Sequence, residues 1–213
     1  MSITAVEIAA WMSDYFGATI SDTDTEFVHA LKDTLVDLSD RPEGDLLQAQ
    51  DTSLATSANT ITVSLSTLTG LKRIELLQLI DDDTNASRCL PLEEVTYAAL
   101  MTEKAGESSS DPANTDRPVR YAVYNGSLYL DPTPDVAYAL VTDYTKRHAR
   151  SATIEYGDEF FAAIAHGTYY RFLLSKDQPD RATDFKGLYE QAIERLIGTH
   201  RPTPPRQTKY HDV

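Results

Sequence analysis

An Asn-Gly pair between two alternating runs constrains this chain more than any other feature. Residues 117–144 read RPVRYAVYNGSLYLDPTPDVAYALVTDY, with the pair at Asn125-Gly126. A two-residue hairpin turn needs positive φ at both central positions, which Asn tolerates and Gly adopts freely. Such a turn sets the register of the flanking strands: Val123 opposite Leu128, Ala122 opposite Tyr129, Tyr121 opposite Leu130. Tyr121, Val123, Leu128 and Leu130 then share one face, read as the core face, and Tyr124 and Tyr129 the other. Pro132 and Pro134 end the second strand, because neither donates to a ladder. Val136, Tyr138, Leu140, Thr142 and Tyr144 alternate after them, so a third strand completing an antiparallel meander is expected.

Helical signals dominate both ends of the chain. Thr4-x-x-Glu7 is a capping box, and Ala5, Ile8, Ala9, Met12 and Phe16 follow at helical spacing up to Gly17, predicting a helix over 5–16. Thr23-x-x-Glu26 is a second box, opening a helix with Phe27, Leu31, Leu35 and Leu38 on its stripe and Pro42 after it. Near the other end, Asp158 opens a helix carrying Phe161, Ile164, Ala165, Thr168 and Phe172. Pro179 breaks it. Asp180 is expected to cap a last helix with Phe185, Leu188, Ala192 and Leu196 on its stripe and Gly198 at its end. Gly187 inside that helix suggests close packing or fraying.

Between these ends the texture is that of strands. Residues 41–58 read as a connection with room for one short strand. Residues 60–65 alternate β-branched and polar residues and predict a strand. Residues 71–80 suit helix or strand; Gly70, the acidic run after them and the neighbouring strand favour strand, with Ile74, Leu76 and Gln78 facing one way and Glu75, Leu77 and Leu79 the other. Pro91 followed by Glu93 and Glu94 predicts a short helix to about Thr102. Residues 103–117 read as a polar loop.

Charge is unevenly placed along the 213 residues. The net charge is −14, with 33 acids against 19 Lys and Arg. The acidic surplus falls in the first 116 residues, which argues against that half gripping nucleic acid, since phosphate binding needs cations to replace counterions. A solvated acidic surface and a charge-complementary neighbour both remain open. The run from Lys146 to Arg150 is basic; it suits a phosphate, an acidic partner or a solvated turn. The single cysteine, Cys89, excludes an intrachain disulfide and reads as a buried or neutral thiol. The first residues lack a basic leader, and no apolar run approaches a membrane span.

Nothing in the sequence asks for catalysis. There is no nucleophile elbow, phosphate-binding Gly loop or metal-ligand spacing, and neither catalytic residues nor a cofactor are expected. His29, His148, His166, His200 and His211 are scattered, with His166 read as a packed or interface residue. Trp11 reads as a core or interface residue. Asp81-Asp82-Asp83 invites a calcium reading but lacks the Gly and distal Glu of a calcium-binding loop, so a solvated turn is expected.

The fold class expected is therefore α+β: N- and C-terminal helices (1–40 and 158–198) forming a helical bundle, an inserted antiparallel β-module with a short helix (41–157; a meander or small sandwich), and an extended C-terminal tail (199–213). That tail, THRPTPPRQTKYHDV, has three prolines in fifteen residues. It suits an extended segment docking through Arg201, Arg206, Lys209 and Tyr210, or a disordered terminus.

The stretch from Arg117 to Gly198 also resembles the adaptor, or head-to-tail connector, proteins of tailed bacteriophages. The similarity lies in a strand, a Gly-containing turn, a strand ending in Leu-x-Pro-x-Pro-Asp, a tyrosine-rich strand, an acidic helix entry at Asp158-Glu159-Phe160-Phe161, and a more polar helix over Asp184–Ile197. Residues 103–117 have no match in that pattern. The resemblance implies a structural virion protein without catalysis. It implies a homo-oligomeric ring, most often twelve-fold, beneath the portal and extending the DNA channel toward the tail. The partners would be the portal, neighbouring copies, downstream tail or neck proteins, and double-stranded DNA passing without sequence-specific contact, with no membrane. It implies assembly in the host cytoplasm and residence at the head-tail junction. Tyr124, Tyr129, Arg147 and Arg150 are the subunit-interface candidates. A neck or tail-completion protein below the adaptor, or a glycan-binding or hydrolase module using Tyr124 and Tyr129 as a sugar platform, are the alternatives.

Overall fold

The computed structural model describes residues 3–41, 47–81, 88–105 and 114–199. In chain order the elements are α1 (Ala5–Phe16), α2 (Thr25–Asp40), β1 (Gln48–Asp51), β2 (Thr62–Ser64), β3 (Leu71–Asp81), β4 (Arg88–Pro91), β5 (Glu93–Glu94) and α3 (Tyr97–Glu103). They continue with β6 (Thr115–Asp116), β7 (Arg120–Tyr124), β8 (Ser127–Asp131), β9 (Thr133–Pro134), β10 (Ala139–Lys146), a 3-10 turn (Asp158–Phe160), α4 (Phe161–Ser175) and α5 (Pro179–Thr199). The class is α+β. The chain divides into a helical unit, Met1–Leu47 with Arg147–Val213, and a β unit, Gln48–Lys146.

In the helical unit, local chemistry sets the ends and packing supplies most of the stability. The Thr4 hydroxyl accepts from the Glu7 amide at 3.3 Å while the Glu7 carboxylate accepts from the Thr4 amide at 2.8 Å, and Gly17 closes α1 at φ 75°. The second box does not form. Helix α2 starts at Thr25, because the Asp24 carboxylate takes the Ser21 amide (3.0 Å) and the Thr23 and Ser21 hydroxyls bond each other (2.8 Å), closing a turn before the helix. Its stripe is as expected: Phe27, Leu31, Leu35 and Leu38 are fully buried. Burying each such side chain stabilises by about 1.5–3 kcal/mol, against about 1 kcal/mol for a cap. Helix α4 packs against α1, α2 and α5, so it is apolar around most of its circumference, with Ala163, Ile164, Ala165, Tyr169, Phe172 and Leu173 all buried.

Helix α5 departs from expectation in its phase. Pro179 is its first residue and Asp180 lies in the first turn. The buried residues are Ala182, Tyr189, Ile193 and Leu196, while Leu188 is 40% exposed. The cause is Gly167 on α4. A Cβ there would lie 2.7 Å from both Thr34 Cγ2 and Tyr189 Cε2, so the missing side chain admits the Tyr189 ring and turns that stripe inward. Gly187 has open space around it; it is not a close-packing position.

The β unit holds two four-stranded sheets, ordered β1-β10-β3-β4 and β2-β8-β7-β5, with a two-stranded β6-β9 pair. Their buried faces share one core, to which Ile74, Leu77, Leu79, Leu140 and Tyr144 come from one sheet and Val63, Tyr121, Leu128 and Leu130 from the other. The hairpin is β7-β8 in the expected register, Tyr121↔Leu130, Ala122↔Tyr129 and Val123↔Leu128, with φ 48° at Asn125 and 74° at Gly126. The meander does not form. After β8 the proline-bearing stretch leads to β10, which pairs with β1 and β3 in the other sheet. Val123 is 39% exposed and so is no core residue, whereas Ala122, on the opposite face, is fully buried; α3 packs on β7.

Strand β3 is a strand, as its flanks indicate, but its alternation breaks. Asp143 pairs with Leu76 and Tyr144 with Ile74, so Glu75 is skipped in a bulge. The extra residue reverses the phase and brings Ile74 into the core with Leu77 and Leu79, leaving Leu76 partly exposed. Pro91 ends β4 and does not start a helix; α3 begins six residues later, where the Thr96 hydroxyl accepts from the Ala99 amide. Cys89 is exposed, not buried.

Candidate assembly surfaces

Three polar or aromatic clusters emerge from these elements. The first is aromatic. The hairpin turn projects Tyr124 and Tyr129 from one face, and the N-terminus of α3 brings Tyr97 over them. Tyr97 stacks on Tyr124 with ring centroids 4.1 Å apart and planes 9° apart, and meets Tyr129 edge-on at 4.8 Å. Tyr124 is 51% exposed. Partial desolvation, followed by the neighbouring Tyr129 and Tyr124 hydroxyls, raises the Tyr97 phenol above its ordinary pKa, so Tyr97 is uncharged at neutral pH. Its hydroxyl-bearing apolar rings suit a protein contact whose edge stays wet.

The second cluster ties α3 to the hairpin. Lys104 Nζ lies 2.9 Å from Asp131 Oδ1, Arg120 holds the same carboxylate from the facing strand, and Arg120 also pairs with Glu103 at 2.7 Å. Burial works to raise the Asp131 pKa, and hydrogen bonds and charge from Lys104 and Arg120 outweigh it, holding it below the usual carboxylate range. A carboxylate held ionised between two cations is a structural clasp, not a general acid.

The third joins α2, α4 and α5. Arg41 makes a two-pronged pair with Glu190 at 2.7 and 2.9 Å. Asp37 receives Arg41 and Arg171, each at 3.2 Å, together with the Tyr189 hydroxyl. Burial works to raise Asp37, but the Tyr189 hydrogen bond and the two guanidinium groups hold it low. Desolvation and the Asp37 carboxylate push the Tyr189 phenol well up.

The basic run after β10 is used within the helical unit. Arg147 pairs with Asp40 at 3.1 Å and Arg150 with Asp33 at 2.7 Å, both exposed and anchored to α2. His148 is buried, its Nε2 2.7 Å from the Thr153 carbonyl. A carbonyl only accepts, so Nε2 donates this hydrogen bond; Nδ1 is buried without a hydrogen-bond partner. The structure thus brings Tyr124 and Tyr129 together in the β unit, while Arg147 and Arg150 lie in the irregular chain after β10, each paired with an acid of α2 in the helical unit. Arg201, Arg206, Lys209, Tyr210 and the Asp82-Asp83 run lie outside the described residues. Trp11 is half-buried, its ring near Tyr15, His166, Tyr169 and Phe185.

Sequence reading missed Tyr97 and both ion clusters. Signals existed for part of them. The hairpin register itself puts Arg120 opposite Asp131, and Asp37 and Arg41 stand at i,i+4. Nothing local points to Glu190 or Lys104.

Among the described residues no group of three or more His, Cys, Asp or Glu could hold a metal ion, and no helix is long and apolar enough to cross a membrane. Comparison with curated proteins gave no match. The family description "SU10 adaptor protein" matches residues 2–209, nearly the whole chain and both of its units. The chain belongs to the SU10 adaptor protein family, structural proteins of bacteriophages that act as head-to-tail adaptors.

Proposed function

We propose that this protein assembles as a closed ring beneath the portal and extends the DNA channel toward the tail, with no catalytic step of its own. The observation that carries the reading is the extent of the family match: it runs to residue 209 and so takes in both the folded units and the basic, proline-rich tail. That supports the tail as part of the shared machinery. In this reading Arg201, Arg206, Lys209 and Tyr210 dock on the portal or on a neighbouring subunit. The Tyr97-Tyr124-Tyr129 platform and the exposed Arg147 and Arg150 lie at contacts between neighbours. A ring follows from a head-to-tail contact whose rotation closes.

The net charge of −14 fits a conduit that DNA traverses without sticking, because like charge disfavours residence on the wall. The partners are the portal, other copies of the chain, and a tail or neck protein below. The place is the head-tail junction, reached after assembly in the host cytoplasm.

The test is electron microscopy of the purified full chain mixed with portal rings, with the chain lacking residues 200–213 as comparison. Rings on the portal with the full chain, and their loss on truncation, are expected. Decoration that survives truncation removes the tail from portal docking. Decoration of tail tubes but not portals moves the protein to a position lower in the neck.

A further inference from the structure

Two exposed faces of the helical unit carry opposite signs. The first lies where α1 meets α5. Trp11 and Tyr15 stand 4.6 Å apart on α1, and Phe185 of α5 meets their rings at 6.4 and 5.9 Å. The cluster is open to solvent: Tyr15 is 53% exposed, and Leu188, beyond Phe185 on α5, is 40% exposed. Arg181 donates to the Tyr15 carbonyl and to the Tyr169 hydroxyl, each at 3.0 Å, which holds α5 against the end of α1. Asp14 beside Tyr15 and Asp184 beside Phe185 are exposed. No hydrogen bond or ion pair engages either of them among the described residues.

The second face is on α2. A hollow of about 190 Å³ is lined by His29, Lys32 and Arg150. Arg150 reaches Asp33 at 2.7 Å, and Lys32 has no hydrogen-bond or ion-pair partner among the described residues. In a chain of net charge −14 such a hollow is the exception in sign. Helix α4 separates the two faces. Its His166 and Tyr169 meet Trp11, whereas its Gly167 and Arg171 meet Thr34 of α2. At about 100° per residue these pairs lie on different sides of α4, so the two faces lie on different sides of the bundle.

We propose that the acid-flanked aromatic face of one copy seats on the cationic face of the next, α1 and α5 against α2. Charge selects that pairing. Two aromatic faces would oppose Asp14 and Asp184 with their own counterparts, and two cationic faces would oppose Lys32 with Lys32; like charges across a contact are costly. Unlike faces meet with complementary signs. The contact is then heterologous: every copy keeps one face of each sign for its two neighbours, and the series closes when the rotation fits. Trp, Tyr and Arg carry a large share of the energy at protein contacts, and Trp11, Tyr15 and Arg181 stand together here. Asp14 and Asp184 supply the polar rim around that apolar centre. The inference rests on the ring reading and names the surfaces by which neighbours join.

Ring formation on portal, counted by electron microscopy, tests it with three variants of the full chain. Lys32→Glu with Arg150→Glu reverses the cationic face, Asp14→Lys with Asp184→Lys reverses the acidic one, and the third variant carries all four changes. Each two-site variant should cut the fraction of decorated portals at least about tenfold, because it opposes like charges. The four-site variant should recover it, because the signs match again. In the parent, emission from Trp11, the single tryptophan, should move to shorter wavelength as rings form. The four side chains are exposed or half-buried, and circular dichroism of each variant alone checks that its fold is kept. Two-site variants that decorate portals as the parent does overturn the pairing and leave the ring reading standing. So does a four-site variant without recovery, which would assign one of the faces to the portal. A parent chain that forms no rings on portal overturns the ring reading, and this pairing with it.

Discussion

The two units bury cores of similar kind but reach them by different routes. In the helical unit the stripe of α2 is set by spacing within its own helix, and Phe27, Leu31, Leu35 and Leu38 were all where their periodicity put them. In the β unit the hairpin was set by its own turn and β3 paired with the next strand, β4, but β1, β2 and β10 found partners far away in sequence. Strand β10 follows the hairpin and yet lies between β1 and β3. Each unit then closes with an ion cluster around one depressed carboxylate, Asp37 in one and Asp131 in the other. The lesson is that a local code and a non-local one end in the same device, a charge held by two cations where elements meet.

The largest expected effects should be equal in the two units. Leu35→Ala and Leu77→Ala each remove a fully buried side chain and should cost about 2–5 kcal/mol. Hydrogen exchange should place the loss of protection in the unit that carries the change. Protection lost throughout the chain in both variants would show that the two units unfold as one, and would break the comparison.

Gly167→Ala comes next, because the new Cβ would stand 2.7 Å from Tyr189 and Thr34. Overpacking of this kind costs about 1–3 kcal/mol. Gly187→Ala, in open space on the same helical unit, should stabilise by about 0.5–1 kcal/mol. Urea midpoints of the pair sharpen the point that only one of these glycines is structural.

Arg120→Ala should cost about 1–3 kcal/mol at neutral pH by leaving Asp131 to Lys104 alone. The sign of its pH dependence follows from the shift. A carboxyl depressed in the folded state stabilises above its unfolded pKa of about 3.9, and that contribution is lost as pH falls through the folded value. Both units should therefore weaken in acid. Denaturation at pH 7 and pH 3 should show less acid weakening in Arg120→Ala than in the parent, because part of the Asp131 shift is gone. Equal weakening would assign the acid sensitivity to Asp37 and the helical unit.

Gly126→Ala places a Cβ at φ 74° and should cost about 1 kcal/mol. The smallest effect belongs to Val123→Thr. The residue is 39% exposed, so the change should stay within about 0.5 kcal/mol, whereas full core burial would have predicted several times that loss.

The legible parts of the molecule share one property: both partners lie within a few residues of each other. The Thr4–Glu7 box, the Gly17 stop and the Asn125-Gly126 register needed no knowledge of the rest of the chain. The failures were also of one kind. The Thr23 box lost to a tighter turn made by Ser21 and Asp24. The stripe of α5 had two candidates one residue apart, and a gap at Gly167 on another helix selected the one with Tyr189. Strict alternation in β3 failed at Glu75, where a bulge admitted Ile74. Of the candidate surface, Tyr124 and Tyr129 were readable from the hairpin pleat. Tyr97, which stacks on them, was not, because its helix starts at Thr96 and not at Pro91.

By itself the sequence determined the α+β class, the helical ends, the register of one hairpin and the absence of any recognisable catalytic motif. Those follow from φ preferences, caps and periodicity, which act over a few residues. Only the tertiary structure decided which sheet β10 joins, which face of α5 is buried and which cations clasp Asp37 and Asp131. Those choices depend on shape and charge brought together from distant parts of the chain. A helix satisfies its backbone within itself, whereas a strand must find its hydrogen bonds elsewhere, and that is where local pattern stops being informative.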